Sequence, residues 1–404
     1  MKSSKKSKTK AVEELLARGV TEVIDRGHLK KELLSGKKLR IKLGIDPTGP
    51  KIHLGRAVIL RKLRAFQELG HHVVLIVGDF TALIGDPSDK LAKRPRLTPA
   101  QVRQNMRDYK KQLGKIIDLS KAEIKYNSAW LKKLTFAEVT ELAESFSVQQ
   151  MLARRNFKER YEKGIDISLR EFLYPLMQGY DSVAVESDVE LGGFDQLFNL
   201  MAGRTIQRYY GEKEQDILTC EMLEGTDGRK MSTSWGNVIN ISDEPNDMFG
   251  KLMSVRDELI FKYLRLATDM PDEEISAIEK SVKGKKINPR DAKLILAREV
   301  VSLYHGGNSA ARAEKEFQSV FQKKELPAEI KTVFIAKTKL TAAELLFLSG
   351  LAKSKSDAFR LIAQGGVKIG GGKTTDQRAV IDLSSGKEII VQSGKRHFVK
   401  VRKK

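Results

Sequence analysis

Two features of the sequence predict an α/β fold with a Rossmann-like parallel sheet, and a third predicts further domains after it. Helix-like and strand-like segments alternate early in the chain, and Val73-Val74-Leu75-Ile76-Val77 forms a short, continuous apolar run. Further on, the pattern changes to unbroken helical periodicity and then to short strands with glycine turns. Alternation of this kind builds a parallel sheet, whose strands are buried on both faces and so read as continuous apolar runs. With 404 residues and 41% hydrophobic composition, the chain is long enough for two or three domains with sizeable cores.

Residues 1–39 read as a basic tail and helices. Residues 40–240 carry the sheet, opening with the strand Arg40-Ile41-Lys42-Leu43-Gly44-Ile45. After Gly55, the positions Ala57, Leu60, Leu63, Arg64 and Leu69 keep near-helical spacing, and Val73–Val77 is the next buried strand. Thr98-Pro99-Ala100-Gln101 combines capping-box spacing with proline at the first helical position, which starts a helix through Met106, Tyr109 and Leu113. Residues from about 115 to 170 are charged and helical, with no strand run, and form an insertion between two halves of the sheet. Helical periodicity continues over 241–325, through Phe249, Leu252, Leu259, Phe261, Tyr263 and Leu264 and on to Leu294, Val300, Leu303 and Tyr304. A linker follows at 326–337, and a small α+β domain at 338–404.

The chain carries 73 Lys and Arg against 52 Asp and Glu, a formal net charge of +21 that favours a polyanionic partner. Residues 338–404 alone hold fourteen Lys or Arg against five Asp or Glu, a net of +9. A lone cysteine, Cys220, makes no internal disulfide. No run approaches the ~18 apolar residues of a membrane span. The five lysines of Met1–Lys10 have no apolar stretch behind them, so they are no secretory signal, and a cytoplasmic location is expected.

Two segments point to a nucleoside triphosphate. His53-Leu54-Gly55-Arg56 lies between a strand and a helix, where backbone N–H groups and the helix dipole attract phosphate. Lys230-Met231-Ser232-Thr233-Ser234 lies in a polar loop made flexible by Gly225 and Gly228, as a lid over a triphosphate must be. Gly78-Asp79-Phe80-Thr81-Ala82-Leu83-Ile84-Gly85-Asp86-Pro87-Ser88 ends the second strand, at the carboxyl edge where open sheets bind ligands. Tyr174, Gln178 and Asp181 fall at i, i+4 and i+7, which lines one helix face with polar groups. Gly192-Gly193-Phe194-Asp195-Gln196 joins a glycine pair to an acid and an amide able to bind hydroxyls or a carboxylate.

Together these segments resemble the class I aminoacyl-tRNA synthetases, and the residues between the two signatures resemble the bacterial tyrosyl-tRNA synthetases. The resemblance runs from about residue 12 to the end. It implies that L-tyrosine is activated with ATP to tyrosyl-adenylate and pyrophosphate and then passed to the 3′-terminal ribose of tRNA(Tyr). His53, Arg56, Lys90, Arg94 and Lys230 would meet the developing phosphate charge, with Mg²⁺ on the ATP phosphates and no metal held by the protein. ATP would bind at Thr48, His53, Gly55, Gly193, Asp195, Lys230, Met231, Ser232, Thr233 and Ser234. Tyrosine would bind at Asp86, Tyr174, Gln178, Asp181 and Gln196, with Asp181 on the phenol. Residues 241–325 would bind the anticodon, and 338–404 resemble an alpha-L RNA-binding motif using Lys353, Lys355, Arg360 and Lys368. The insertion would carry a homodimer contact.

Four positions depart from the family pattern. Arg56 replaces a usual histidine, Thr233 a second lysine, Phe194 a small polar residue, and Lys42 a tyrosine that contacts the phenol. Three other readings fit part of the pattern. A tryptophanyl-tRNA synthetase shares both signatures, and a histidine-motif adenylyltransferase also cleaves ATP at the α-phosphate. A non-catalytic RNA-binding protein on a synthetase scaffold would bind RNA without forming adenylate.

Overall fold

The computed structural model describes residues 2–87, 97–232, 235–322, 330–394 and 397–404. The chain divides into two compact units, Met1–Asp243 with Lys251–Tyr304 and Glu244–Gly250 with His305–Lys404.

The first unit is built on strands β1 (Val20–Ile24), β2 (Arg40–Ile45), β3 (His72–Val77), β4 (Ala122–Tyr126), β5 (Val189–Gly193) and β6 (Asp216–Cys220). They form one sheet in the order β1-β6-β5-β2-β3-β4. All neighbours run parallel except β1, which pairs antiparallel with β6 at one edge and corrects the expectation of a tail and helices over residues 1–39, its five residues being too few to give a periodic signal. β5 and β6 are buried along their whole length, and β3 from Val73 to Val77. From β2 the chain moves outward to β3, while β5 lies on the other side of β2. The strand order therefore reverses beside β2, and in parallel α/β sheets that crevice is where ligands bind.

β4 corrects the expectation that residues 115–170 hold no strand. Ala122-Glu123-Ile124-Lys125-Tyr126 has no apolar run, but at the outer edge of the sheet β4 pairs on one side only and is less buried than the central strands, so charged residues are tolerated. Glu123 there takes ion pairs from Arg40 at 3.2 Å and Lys125 at 3.3 Å. The helical insertion begins only after this strand, with helices Ser128–Leu131, Phe136–Glu144, Val148–Leu152 and Arg155–Glu162. Thr98 and Gln101 form the expected capping box, although the helix they start breaks into Pro99–Met106 and Tyr109–Leu113.

The helices Leu169–Ala184 and Leu197–Tyr209 pack closely against each other. A Cβ on Gly179 would lie 3.1 Å from the Ala202 carbonyl and closer still to Ile206, so only glycine permits this approach. The helical stretch after residue 241 comprises Pro245–Met253, Ile260–Ala267, Asp272–Lys283, Pro289–His305 and Gly307–Gln322.

In the second unit, strands β7 (Thr332–Ile335), β8 (Lys339–Thr341), β9 (Val367–Ile369), β10 (Gly372–Thr374), β11 (Val380–Asp382), β12 (Ile389–Ser393) and β13 (His397–Lys403) form a five-stranded sheet, β10-β9-β12-β13-β7, and a β11-β8 pair. Helices Ala342–Leu348 and Lys355–Ala363 close a core of Leu345, Leu346, Ile362, Val367, Val391 and Val401. β7 lies inside the stretch expected to be linker. Its four residues are too few to give a periodic signal, and its parallel partner β13 is more than sixty residues away. Residues 326–329 of that linker lie outside the described residues.

Candidate active site

Four parallel strands deliver their carboxyl ends to one cavity of about 270 Å³ in the first unit. Asp46 follows β2, Gly78 follows β3, Asn127 follows β4, and Gly192 and Gly193 end β5; all five residues line the cavity.

One end of the cavity is cationic, lined by Thr48, His53, Gly55, Arg56, Lys230 and Met231. His53 is the N-cap of the helix Leu54–Glu68, and its side chain accepts the Arg56 N–H. Burial pushes its imidazole down to about 3, with Arg56 and Lys230 adding repulsion, so His53 is neutral at pH 7. Arg56 donates to Tyr109 Oη and to Thr48 Oγ1, both at 2.6 Å. Its guanidinium thereby ties Thr48 into the same end of the site. Among the first N–H groups of this helix, Leu54 donates to the Ile239 carbonyl at 2.8 Å, and Gly55 donates to the Met231 thioether at 3.4 Å. A phosphate at the helix start therefore meets side-chain donors first, because only the weak sulfur contact leaves an N–H easily released.

The second signature is braced against the first. Glu224 and Lys230 form an antiparallel bridge, and His53 bridges Asn240. Asn237 holds the turn between them. Its amide nitrogen donates to Asp227 at 2.8 Å and to the Lys230 carbonyl at 3.1 Å, and its oxygen accepts the Ser232 N–H at 2.8 Å. A Cβ on Gly225 would come within 2.3 Å of that amide, so glycine is required for the brace. The loop expected to be flexible is thus pinned as far as Ser232. Arg229 is held by Asp227 and stacks over Trp235 at 4.8 Å. Lys230 reaches across the cavity to Asp195, 2.9 Å away.

The other end is acidic and lined by Asp86, Tyr174, Gln178, Asp181 and Gln196. Tyr174 donates its hydroxyl to Asp46 at 2.8 Å, and burial beside the Asp46 and Asp86 carboxylates holds the phenol well above its ordinary range. Asp46 also accepts from Thr81 at 2.7 Å, in the space left by Gly78, where a Cβ would lie 2.0 Å from the carboxylate. Gln196 donates to Asp86 at 2.5 Å. Asp181 is buried and receives Trp130 Nε1 at 2.8 Å and Asn127 Nδ2 at 3.2 Å. Burial pushes its carboxyl up to about 7 against the opposing pull of Lys42, Trp130 and Asn127.

The structure thus gathers thirteen of the expected nucleotide- and tyrosine-site residues around one cavity. Ser232 is not among the lining residues, and Lys90, Arg94, Thr233 and Ser234 lie outside the described residues. Asp46, Asn127, Trp130 and Asn237 are additions, as is Asn199, which donates to Gln178 Oε1 at 3.0 Å. Asp46 had a visible signal, an acid just after a parallel strand. Asn127 and Trp130 had none, because β4 was not legible. Lys42, expected to alter a phenol contact, does not line the cavity and is fully buried beside Glu190. Lys353, Lys355, Arg360 and Lys368 are exposed in the second unit, with Lys355 near Glu344 and Arg360 on Asp357.

A Rossmann-like sheet with a cationic pocket end formed by two signatures and an acidic end beside it defines the catalytic unit of a class I synthetase. Residues 34–322 match the family model described as tRNA synthetases class I (W and Y), and the chain belongs to that family. It is 49% identical over 388 residues to a tyrosine–tRNA ligase of Thermotoga maritima, with 96% of each chain covered. A tyrosine–tRNA ligase of Moorella thermoacetica is 47% identical, with 96% of this chain and 94% of that protein covered. In fold, the chain is similar to a C-terminally truncated mitochondrial tyrosyl-tRNA synthetase of Aspergillus nidulans, with a TM-score of 0.64 at 24% identity over 80% of this chain and all of the other. Among the described residues, no helix is long and apolar enough to cross a membrane.

Proposed function

We propose that this chain is a tyrosine–tRNA ligase that activates L-tyrosine with ATP and transfers it to the 3′-terminal ribose of tRNA(Tyr). The observation that carries the reading is Asp181, a buried carboxylate lining the cavity with both oxygens held by N–H donors. A phenol hydroxyl is the group such an acceptor selects, since phenylalanine would leave it unpaired. Asp86, Gln178 and Gln196 take the ammonium and carboxylate end.

The tyrosine carboxylate then attacks the α-phosphorus in line, and pyrophosphate leaves. His53 donates through its neutral imidazole, while Arg56 and Lys230 stabilise the charge that develops on the phosphates. Lys90, Arg94, Thr233 and Ser234 complete this group in the resemblance. ATP is a substrate and carries its Mg²⁺ with it; the site offers cations to the phosphates. Gly193 and Asp195 accommodate the adenosine.

We further infer a cytoplasmic homodimer. Phe136, Val148, Tyr161 and Leu169 are at least 60% exposed in and beside the insertion, an apolar surface suited to a second copy. The helices after residue 241 and the basic second unit bind the tRNA, with Lys353, Lys355, Arg360 and Lys368 on phosphates. Charging of tRNA(Tyr) by the purified chain, with tyrosine and ATP supplied, tests the whole reading. Tyrosyl-tRNA formation is expected, and RNA binding without adenylate formation would favour the non-catalytic alternative.

A further inference from the structure

At the centre of the sheet, Lys42 on β2 and Glu190 on β5 are register partners, and both side chains are fully buried. The Lys42 ammonium is saturated. It donates to Glu190 Oε1 at 2.9 Å, to Ser182 Oγ at 2.7 Å and to the Gln178 carbonyl at 2.8 Å. Glu190 accepts Gln178 Nε2 at 3.1 Å on one oxygen, and Ser182 Oγ at 3.1 Å together with Gln215 on the other. The remaining end of the Gln178 amide accepts Asn199 Nδ2 at 3.0 Å. Gly203 makes room, since a Cβ there would lie 2.9 Å from Ser182 Oγ and 3.1 Å from Glu190 Oε2.

Every bond from this pair into the helix Leu169–Ala184 ends on the single turn 178–182. That turn carries two of the groups facing the cavity, Gln178 and Asp181. A charged pair in a sheet core costs more desolvation than an apolar pair of the same size, so it is weak as a stabilising device. Its bonds instead fix geometry. Gln178 has both ends of its amide and its own carbonyl engaged, and the turn cannot rotate without breaking them.

We propose that Lys42 and Glu190 are positioning residues for tyrosine recognition, fixing the helical turn that presents Gln178 and Asp181 to the substrate. The proposal rests on the tyrosine-activation reading above. Neither residue touches substrate; both act through the turn, and Lys42 also acts through its charge on Asp181. Lys42 lowers the proton affinity of that carboxyl and Glu190 raises it. The other groups around Asp181 are the neutral donors Asn127 and Trp130 and the phenol of Tyr174, with Asp46 and Asp86 beyond that phenol.

The test uses the full chain and the variants Lys42→Met, Glu190→Gln and Lys42→Met/Glu190→Gln, assayed by ATP–pyrophosphate exchange with tyrosine and with phenylalanine across about pH 6 to 9, the range spanning ordinary histidine and displaced carboxyl titration. Tyrosine binding requires ionised Asp181. In Lys42→Met the rise of tyrosine affinity with pH moves to higher pH, and in Glu190→Gln it moves to lower pH. Both single variants raise KM for tyrosine by about tenfold, equivalent to loss of one well-placed hydrogen bond to a charged group, and leave KM for ATP within about twofold. The double variant buries no unpaired charge and keeps the experiment readable if Lys42→Met does not fold; it too raises KM for tyrosine and not for ATP. Equal displacement of the pH profile in both single variants, or an unchanged KM for tyrosine in the double variant, overturns the positioning role. Wild-type exchange alongside separates the two failures. If the wild type activates tyrosine normally and the variants match it, only the positioning role is lost. If the wild type activates no amino acid, both readings are lost.

Discussion

The Lys230 ammonium lies 2.9 Å from the Asp195 carboxylate, which joins the lysine of the second signature to the acid just after β5 in the wall of the cavity. The lysine proposed to meet the phosphates and the acid proposed to hold the adenosine neutralise each other here. On that proposal, nucleotide binding exchanges this ion pair for contacts to phosphate and ribose. Lys230→Met is expected to lower the rate of adenylate formation by about 10²–10³, the usual effect of removing one transition-state donor. Tyrosine affinity should change by less than about twofold, since Lys230 is far from Asp181 in function. Single-turnover kinetics with tyrosine titration would separate the two, and a parallel loss of tyrosine binding would count against the division of the cavity into two ends.

Arg56 replaces the usual histidine and spans Thr48 and Tyr109. Tyr109→Phe keeps the Thr48 bond and should cost about 1 kcal/mol of stability with little change in rate. Arg56→Ala removes a cation from the triphosphate end and should slow adenylate formation about tenfold or more. Urea unfolding together with pyrophosphate exchange distinguishes the two. If Tyr109→Phe were as slow as Arg56→Ala, Arg56 would act through its position on Tyr109 rather than as a donor to phosphate.

His53 titrates near 3 because burial and its cationic neighbours oppose protonation. Its ordinary value is about 6.5, so the unfolded chain binds this proton more tightly than the folded one. Stability from this group is full above about pH 6.5 and is lost as pH falls towards 3, at up to about 1.4 kcal/mol per pH unit. His53→Asn retains a capping side chain and should flatten that part of the acid-unfolding curve. Unfolding midpoints measured between pH 4 and 7 test this, and an unchanged slope in the variant would mean that other groups set the acid limit.

Asp181 has its carboxyl raised to about 7 by burial. KM for tyrosine is therefore expected to fall as pH rises through about 7, while an Asp181→Asn variant, which has no such titration, should show a flat profile and discriminate tyrosine from phenylalanine at least about 10²-fold less well. The same pH dependence in the variant would assign it to another group.

On the proposed reading, the basic second unit holds tRNA through its charge. Lys353→Ala and Lys368→Ala together should reduce the slope of log affinity for tRNA against log salt by about 0.7–0.9 for each phosphate that these lysines neutralise. Filter binding across a salt series measures it. An unchanged slope would put the tRNA elsewhere.

Much of this site could be read directly from the chain, because its key groups sit in short contiguous signatures. His53, Arg56 and Lys230 flag themselves by their neighbours, and Tyr174, Gln178 and Asp181 by their helical repeat. What escaped was set by tertiary register. β4 lies at a sheet edge, where Glu123 and Lys125 erase the apolar pattern, and with it went Asn127 and Trp130, the donors that hold Asp181. Lys42 read as an altered substrate contact, since sequence alone does not reveal which residue lies opposite on a neighbouring strand. Only the pairing of β2 with β5 turns it towards Glu190. β7 was missed for the same reason, as a four-residue strand defined by a distant partner.

The central claim is that the buried Asp181 in the wall of the cavity selects tyrosine for activation by ATP. ATP–pyrophosphate exchange by the purified chain, with tyrosine, phenylalanine and tryptophan offered separately, tests it most directly. Tyrosine should support exchange, and phenylalanine should fall short by about 10⁴–10⁵ in kcat/KM, the range reached by sites built around a substrate hydroxyl, for which a tyrosyl enzyme is the measured example. Comparable exchange with phenylalanine or tryptophan, or none with tyrosine, would contradict it.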